Sequence, residues 1–219
     1  MKRYDIAVVG GGASGLTAAI SAKRENSSLS VCILERLPRV GKKLLVTGNG
    51  RCNLTNRNID CSHFKGTCTK LYNMIKAFDV EAFFGTLGVI CTADSEGRVY
   101  PKSNTASSVL DALRLEVERL GIDIICDFCV KEIKSGYIIC SDNDRISAES
   151  VILAGGGLSQ SSLGSDGSIL RLCKEMGIKV GKLTPALTAV KTEPDLVKAL
   201  KGLRVQAEAK LFIDNKEIK

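Results

Sequence analysis

A chain of 219 residues with 44% hydrophobic and 25% charged residues has the composition of an ordinary soluble globular protein, one large domain or one domain and part of another. Thirty-one basic against twenty-four acidic residues give a net charge of +7, which suits anionic ligands without requiring nucleic acid. Aromatic residues are only 5% and Trp is absent, so no stacking platform for single strands is evident and nucleic acid is not an expected partner.

The chain opens with Met1-Lys2-Arg3 and an uncharged stretch from Ile6 to Ala22, the outline of a signal peptide. Asp5 interrupts the flank, four glycines break the stretch, and no run reaches the ~20 apolar residues of a membrane helix, so no membrane partner and a cytoplasmic protein are expected. The same residues make better sense as a βαβ unit. A buried strand, Ile6 to Val9, runs into Gly10-Gly11-Gly12-Ala13-Ser14-Gly15, and a helix from Leu16 to Ala22 follows. Gly10 permits the turn, Gly12 lets backbone approach a pyrophosphate, and Gly15 lets helix and strand pack closely. The helix N-terminus offers unpaired N–H groups to phosphates. Leu29 to Leu34 is a second apolar strand, and Glu35, twenty residues after Gly15, is placed to accept from ribose hydroxyls. Strand, glycines, helix, strand and acid in this order point to an adenine dinucleotide.

Arg36, Arg39, Lys42, Lys43 and Arg51 then fall within sixteen residues that contain no acid. Pro38, Gly41, Gly48 and Gly50 make this stretch loop-rich, and its place directly after Glu35 suggests a second phosphate or ribityl contact. Residues 69 to 87 read as helical, with short strands Val89 to Cys91 and Arg98 to Tyr100 around the turn Asp94-Ser95-Glu96-Gly97. An amphipathic helix runs from Ala106 to Leu120, with Val109, Leu110, Leu113 and Val117 on one face. Ile122 to Cys126 reads as a buried strand. Three short strands, Val130 to Ile133, Tyr137 to Ser141 and Arg145 to Ala148, form a β-meander, and Val151 to Ala154 is a further strand ending in Gly155-Gly156-Gly157. A meander crossover and a second glycine turn suggest the flavin-binding variant of the Rossmann plan. Asp166 to Met176 reads as a helix, and Val205 to Ile213 alternates as a strand.

Nine cysteines, an odd number lying mostly in apolar segments, read as thiols in a reducing compartment. Cys126 and Cys129 have redox spacing but sit between expected strands rather than at a helix start. His63 with Cys61, Cys68 and Cys52 matches no compact zinc module, so no metal is expected.

The stretch from Gly41 to Asn56, Gly-Lys-Lys-Leu-Leu-Val-Thr-Gly-Asn-Gly-Arg-Cys-Asn-Leu-Thr-Asn, resembles the signature of a bacterial family of NAD(P)/FAD-dependent oxidoreductases. That family includes aminoacetone-oxidase-like and bile-acid-pathway reductase members. Gly97 to Ser103, Leu153-Ala154-Gly155-Gly156 and Thr184-Pro185-Ala186-Leu187 are similar to it too. The resemblance implies an α/β, glutathione-reductase-like FAD-binding Rossmann domain over 1–190, with 191–219 opening an inserted β-rich domain. It implies FAD as cofactor and flavin-mediated hydride transfer between a small organic substrate and either NAD(P)H, as electron donor, or another acceptor. By position, Gly10, Gly12, Ala13, Ser14 and Gly15 hold the pyrophosphate and Glu35 the adenosine ribose, with Arg36 beside it. Lys43, Arg51, Cys52 and Asn53 face the flavin side, Val130 pairs its backbone with adenine, and Gly155 and Gly156 approach from below. Family members run to roughly twice this length and carry a Lys-Ser-Tyr-Pro-like stretch where this chain has Leu158-Ser159-Gln160-Ser161. A dinucleotide-binding module without independent turnover and direct NAD binding at the same glycines are the competing readings.

Overall fold

Strand β1 (Lys2–Val9) is flanked by two parallel neighbours, and the first of them is so apolar that both of its faces must be covered. That neighbour is β2 (Val31–Leu34), four residues all buried, paired with β1 from Ile6 opposite Val31 to Val9 opposite Leu34. The structure, a computed structural model, describes residues 1–64, 70–184, 193, 195, 198–200, 203, 208 and 210–218. Helix α1 (Ala13–Glu25) connects β1 to β2. After a 3₁₀ turn over Leu44–Gly50 come β3 (Thr55–Asn56), α2 (Lys70–Lys76), α3 (Val80–Gly85), β4 (Cys91–Ala93), β5 (Arg98–Pro101) and α4 (Ala106–Arg119). Then follow β6 (Asp123–Ile125), β7 (Glu132–Lys134), β8 (Ile138–Cys140), β9 (Arg145–Leu153) and α5 (Ser168–Glu175).

Six strands form the main sheet in the order β6-β2-β1-β9-β8-β7, and β3-β5-β4 form a small antiparallel one. The chain steps outward from β1 to β2 to β6, then returns to lay β9 on the other side of β1, so the strand order reverses between β1 and β9. Alternation along the strands divides the core. Val8, Val31 and Ile33 pack under Leu16, Ala19 and Ile20 of α1 and Val109, Leu113 and Val117 of α4. Ala7, Val9, Cys32 and Leu34 face the opposite side, where Ile139, Ile146 and the α5 residues Ile169 and Leu172 cover them. Cys32 is thus a core thiol, and burial pushes it up to about 12, so it stays protonated.

The Rossmann-type fold is the one expected, with local corrections. Where one helix was expected over 69–87, the described residues form two, α2 and α3, because the Asp79 carboxylate accepts from the Ala82 N–H at 2.9 Å and starts α3 anew. The expected strands Arg145 to Ala148 and Val151 to Ala154 are one strand, β9. It is continuous, paired parallel with β1 from Lys2 opposite Ile146 to Val9 opposite Leu153. The meander therefore joins the main sheet, since β8 pairs antiparallel with the first residues of β9. Strand β3, paired through Thr55 and Asn56 with β5, was not anticipated. Cys68, Pro185 to Leu187, Val205 to Ala207 and Ala209 lie outside the described residues.

The chain divides into two compact units, 1–181 and 182–219. In the second, β10 (Leu211–Ile213) and β11 (Lys216–Ile218) form an antiparallel hairpin. Among the described residues no helix is long and apolar enough to cross a membrane, and no cluster of His, Cys, Asp and Glu is arranged for a metal ion.

An ion cluster ties α1 to α4. Glu116 on α4, nearly buried, accepts from Arg119 at 2.6 and 2.8 Å and from Arg24 on α1 at 2.8 Å. Arg119 first and then Arg24 draw its carboxyl from 4.5 down to about 2. A group whose pKa is lowered by folding stabilises the native state above its unfolded value and loses that contribution as pH falls through its folded value. Glu116→Gln should therefore destabilise the domain by about 1–3 kcal/mol at pH 7. The deficit in denaturant melts should shrink from pH 4.5 toward pH 2.

Candidate functional site

The carboxyl ends of β1, β2 and β9 open into a cavity of about 310 Å³, at the point where the strand order reverses. Open α/β sheets bind ligands at such a crevice. One wall is the turn after β1. There Gly10 has φ +110°, and a Cβ on it would stand 2.6 Å from the Ala154 carbonyl oxygen. A Cβ on Gly15 would stand 1.8 Å from the Gly10 carbonyl oxygen, so helix and turn touch backbone to backbone. Gly12 is different. It lines the cavity, yet a Cβ there would meet no protein atom within 4 Å.

Gly12 is also the N-cap of α1. No side chain caps this helix and no acid lies in its first turn. Its first N–H groups are thus left for a ligand, with the positive end of the helix dipole behind them. The neighbouring Gly11 is held differently. Its N–H donates to Glu35 Oε2 at 2.8 Å, while Glu35 Oε1 accepts from the Leu37 N–H at 2.9 Å. Each carboxylate oxygen keeps a second lone pair, so the carboxylate that braces the turn can still accept from hydroxyls. Gly41 N–H donates to the Gly11 carbonyl oxygen at 2.8 Å and fastens the basic loop onto the same turn.

Cations surround the opening. Arg36, Arg39, Lys42 and Lys43 line the cavity against a single acid, Glu35. Arg36 reaches to the far wall and pairs with Asp166 at 2.5 Å, which holds the Asp166 carboxyl well below the usual carboxylate range. Lys43 donates to Ser165 Oγ at 2.7 Å and has no carboxylate partner among the described residues. That wall, Leu163 to Ser165 with Ser168, Ile169 and Leu172 of α5, faces the glycine turn and was missed in sequence. Its signal was the run Gly164-Ser165-Asp166-Gly167-Ser168 ahead of an apolar helix, a loop opening a helix N-terminus.

Of the residues singled out in sequence, Gly10, Gly12, Ala13, Ser14, Glu35, Arg36, Lys43, Val130, Gly155 and Gly156 line this one cavity. Gly15 stands behind it as a packing contact. Arg51, Cys52 and Asn53 are not in its lining. Cys52 is buried in the core at 5% exposure, where burial raises its thiol pKa. Arg51 stacks on Tyr100. Cys129 lines the cavity and Cys126 does not. Asp127 between them takes φ +56°.

Strand order, glycine turn and braced acid define a Rossmann-type domain with a nucleotide-sized crevice. Residues 4–206 match the HI0933-like protein Rossmann domain, and the chain belongs to that family. It is 40% identical over 210 residues to the 3-dehydro-bile acid delta(4,6)-reductase of Clostridium scindens, which covers 93% of this chain and 51% of the reductase. It is 23% identical over 190 residues to the ribosomal RNA dihydrouridine synthase of Escherichia coli, covering 82% of this chain and 46% of the synthase. Among solved structures, the open conformation of a flavocytochrome c3 fumarate reductase has the same fold, with a TM-score of 0.61 at 16% identity over 80% of this chain and 40% of that one. The chain spans about half the length of the curated relatives it matches.

Proposed function

We propose that this chain is the FAD-binding part of an oxidoreductase that uses NAD(P)H to reduce a small organic substrate. The observation that carries the reading is the uncapped N-terminus of α1, opening into a cation-rich cavity opposite a braced carboxylate. Such a site fits a diphosphate between an adenosine ribose and a second half. The N–H groups from Gly12 to Gly15 would take the diphosphate, with Lys43 beside it. Glu35 and Arg36 would hold the ribose, the Val130 backbone the adenine, and Gly155 and Gly156 would pass beneath the flavin side. Gly12 is the fit test within the chain: nothing in the protein's own packing asks for glycine there, whereas a close-lying phosphate does.

Bound FAD would supply the hydride chemistry, and the protein binding and orientation. The two relatives' names, a delta(4,6)-reductase and a dihydrouridine synthase, both denote addition of hydrogen to a carbon–carbon double bond. The 40% identity to the first favours a small molecule over nucleic acid as substrate. Free cysteines, several of them buried, accord with a reducing cytoplasm. Residues 191–219 would open a second, β-rich domain, to which the hairpin β10–β11 belongs.

Titration of the chain with FAD, NAD and NADP tests the reading. FAD is expected to raise the melting temperature and bring flavin absorbance through gel filtration, with smaller shifts from NAD and NADP. Stabilisation by NAD but not by FAD would overturn it. FAD binding without NAD(P)H oxidation would make the chain a binding module rather than a complete enzyme.

A further inference from the structure

Ser165 is the buried polar side chain of the cavity wall that the sequence motifs do not cover, and its hydrogen bonds do not close within the protein. It is 4% exposed and lines the cavity. The loop that presents it is pinned from several sides. Backbone bonds run both ways between Ser165 and Gln160, the Gly167 N–H donates to the Gly157 carbonyl oxygen at 3.0 Å, and Asp166 is held by Arg36. Gly164 and Gly167, left-handed at φ +98° and +83°, turn the chain on either side of it. Across from Ser165 stands Gly156, where a Cβ would fall 2.8 Å from Ser165 Oγ and 3.6 Å from Lys43 Nζ. The bare glycine leaves room for both polar groups beside it, and all three residues line the cavity.

The protons at this spot can be accounted for one by one. Lys43 Nζ approaches Ser165 Oγ at 2.7 Å. An ammonium can only donate, so the serine oxygen must be the acceptor in that bond. The hydroxyl then keeps one proton of its own, and no acceptor for it exists among the described residues. A buried donor left unmatched is costly, and a ligand that matches it gains accordingly. Lys43 also donates to Ser159 Oγ at 3.4 Å, again a neutral oxygen, and its charge meets no carboxylate among the described residues. Two donors, one of them charged, therefore converge beside Gly156. A neutral acceptor would take the serine proton and leave the charge unanswered, whereas an anionic oxygen answers both. In a dinucleotide the anionic oxygens are those of the diphosphate.

We infer that Ser165 is a further cofactor-binding residue, which donates its hydroxyl proton to a phosphate oxygen of the dinucleotide while the Lys43 ammonium holds the hydroxyl in that sense. The inference rests on the reading of the cavity as a dinucleotide site. The diphosphate is then gripped from two sides, by the N-terminus of α1 and by the loop ahead of α5.

The test titrates ADP and FAD into wild type and Ser165→Ala by calorimetry and records the phosphorus resonances of bound ADP. Ser165→Ala should bind both ligands about tenfold more weakly and by a common factor, since each carries the diphosphate. At least one phosphorus resonance of bound ADP should move, which a loss of fold stability alone would not cause. In a Lys43→Met background the same serine substitution should cost less than about threefold, because without the ammonium the hydroxyl turns freely. The inference is overturned by unchanged affinity in Ser165→Ala, by weaker binding with the phosphorus resonances unmoved, or by an equal loss in the Lys43→Met background. Loss of FAD affinity with ADP unaffected would overturn it too, since the hydroxyl would then serve the flavin half. Wild type that binds ADP but not FAD refutes the flavoprotein reading and leaves Ser165 tested on ADP. Wild type that binds neither refutes the dinucleotide site and the part of Ser165 in it together.

Discussion

Gly15→Ala is expected to cost the domain at least about 3 kcal/mol, enough to leave a large fraction unfolded, whereas Gly12→Ala is expected to leave the fold intact and remove the ligand. The two substitutions add the same methyl group three residues apart. At Gly15 the methyl carbon would fall 1.8 Å from the Gly10 carbonyl oxygen, far inside contact distance. Neither partner is the free end of a side chain. Relief requires α1 to move off β1, and Leu16, Ala19 and Ile20 would leave the core with it. At Gly12 the methyl meets no protein atom within 4 Å, and the backbone there, φ −81° and ψ −171°, suits alanine. Loss of glycine from an N-cap accounts for no more than about 1 kcal/mol. Guanidine melts of the two variants should separate accordingly, and FAD titrations of Gly12→Ala should show affinity lower by at least about tenfold. A stable Gly15→Ala would mean that helix and turn do not meet backbone to backbone at Gly15 and Gly10. Unchanged FAD affinity in Gly12→Ala would remove the diphosphate from that turn.

These glycines also show how much of the molecule its sequence makes legible. The contrast between Gly12 and Gly15 follows from spacing alone, because a strand, a tight turn and a helix leave little freedom in where each residue falls. Helix α4 is equally plain, since Val109, Leu110, Leu113 and Val117 repeat with the helical period and all are buried. The segment 69–87 misleads for the same reason. Its apolar residues continue the period across Ala77-Phe78-Asp79, and only the capping bond from Asp79 shows that the chain turns there. The unity of β9 is written in another strand. Glu149 and Ser150 are polar and exposed, and they stay in the strand because β1 runs beside them for its whole length.

At the site, sequence identifies the walls made by contiguous motifs and misses the one made by distance. Ser165 and α5 reach the cavity from more than a hundred residues beyond Glu35, through the ion pair of Arg36 with Asp166 and the bond of Lys43 to Ser165. The motif from Gly41 to Asn56 is specific as a sequence, and what it leaves unsaid is where its side chains point: Lys43 lines the cavity, while Arg51, set between left-handed Gly48 to Gly50 and left-handed Cys52, stacks on Tyr100. Side-chain direction after several left-handed residues is a property of the assembled loop, and no periodicity encodes it.

Glu35→Ala is the second large effect expected, and it should be felt in stability and binding together. The carboxylate is 8% exposed, and both of its oxygens are in use. Removing it strands the Gly11 and Leu37 N–H groups, each of which then lacks the acceptor it was folded against. An unsatisfied buried donor costs about 1–3 kcal/mol, so the variant should lose about 2–4 kcal/mol in denaturant melts. Glu35→Gln should lose less, since one amide oxygen still accepts while the NH₂ group faces an N–H. The ribose role is separated from the bracing role by the ligand rather than the protein. If Glu35 accepts from a ribose hydroxyl, wild type should bind ADP more tightly than 2′-deoxy-ADP, and in Glu35→Gln that preference should fall by at least about threefold. A preference of the same size in both proteins would leave Glu35 as the brace of the glycine turn and nothing more.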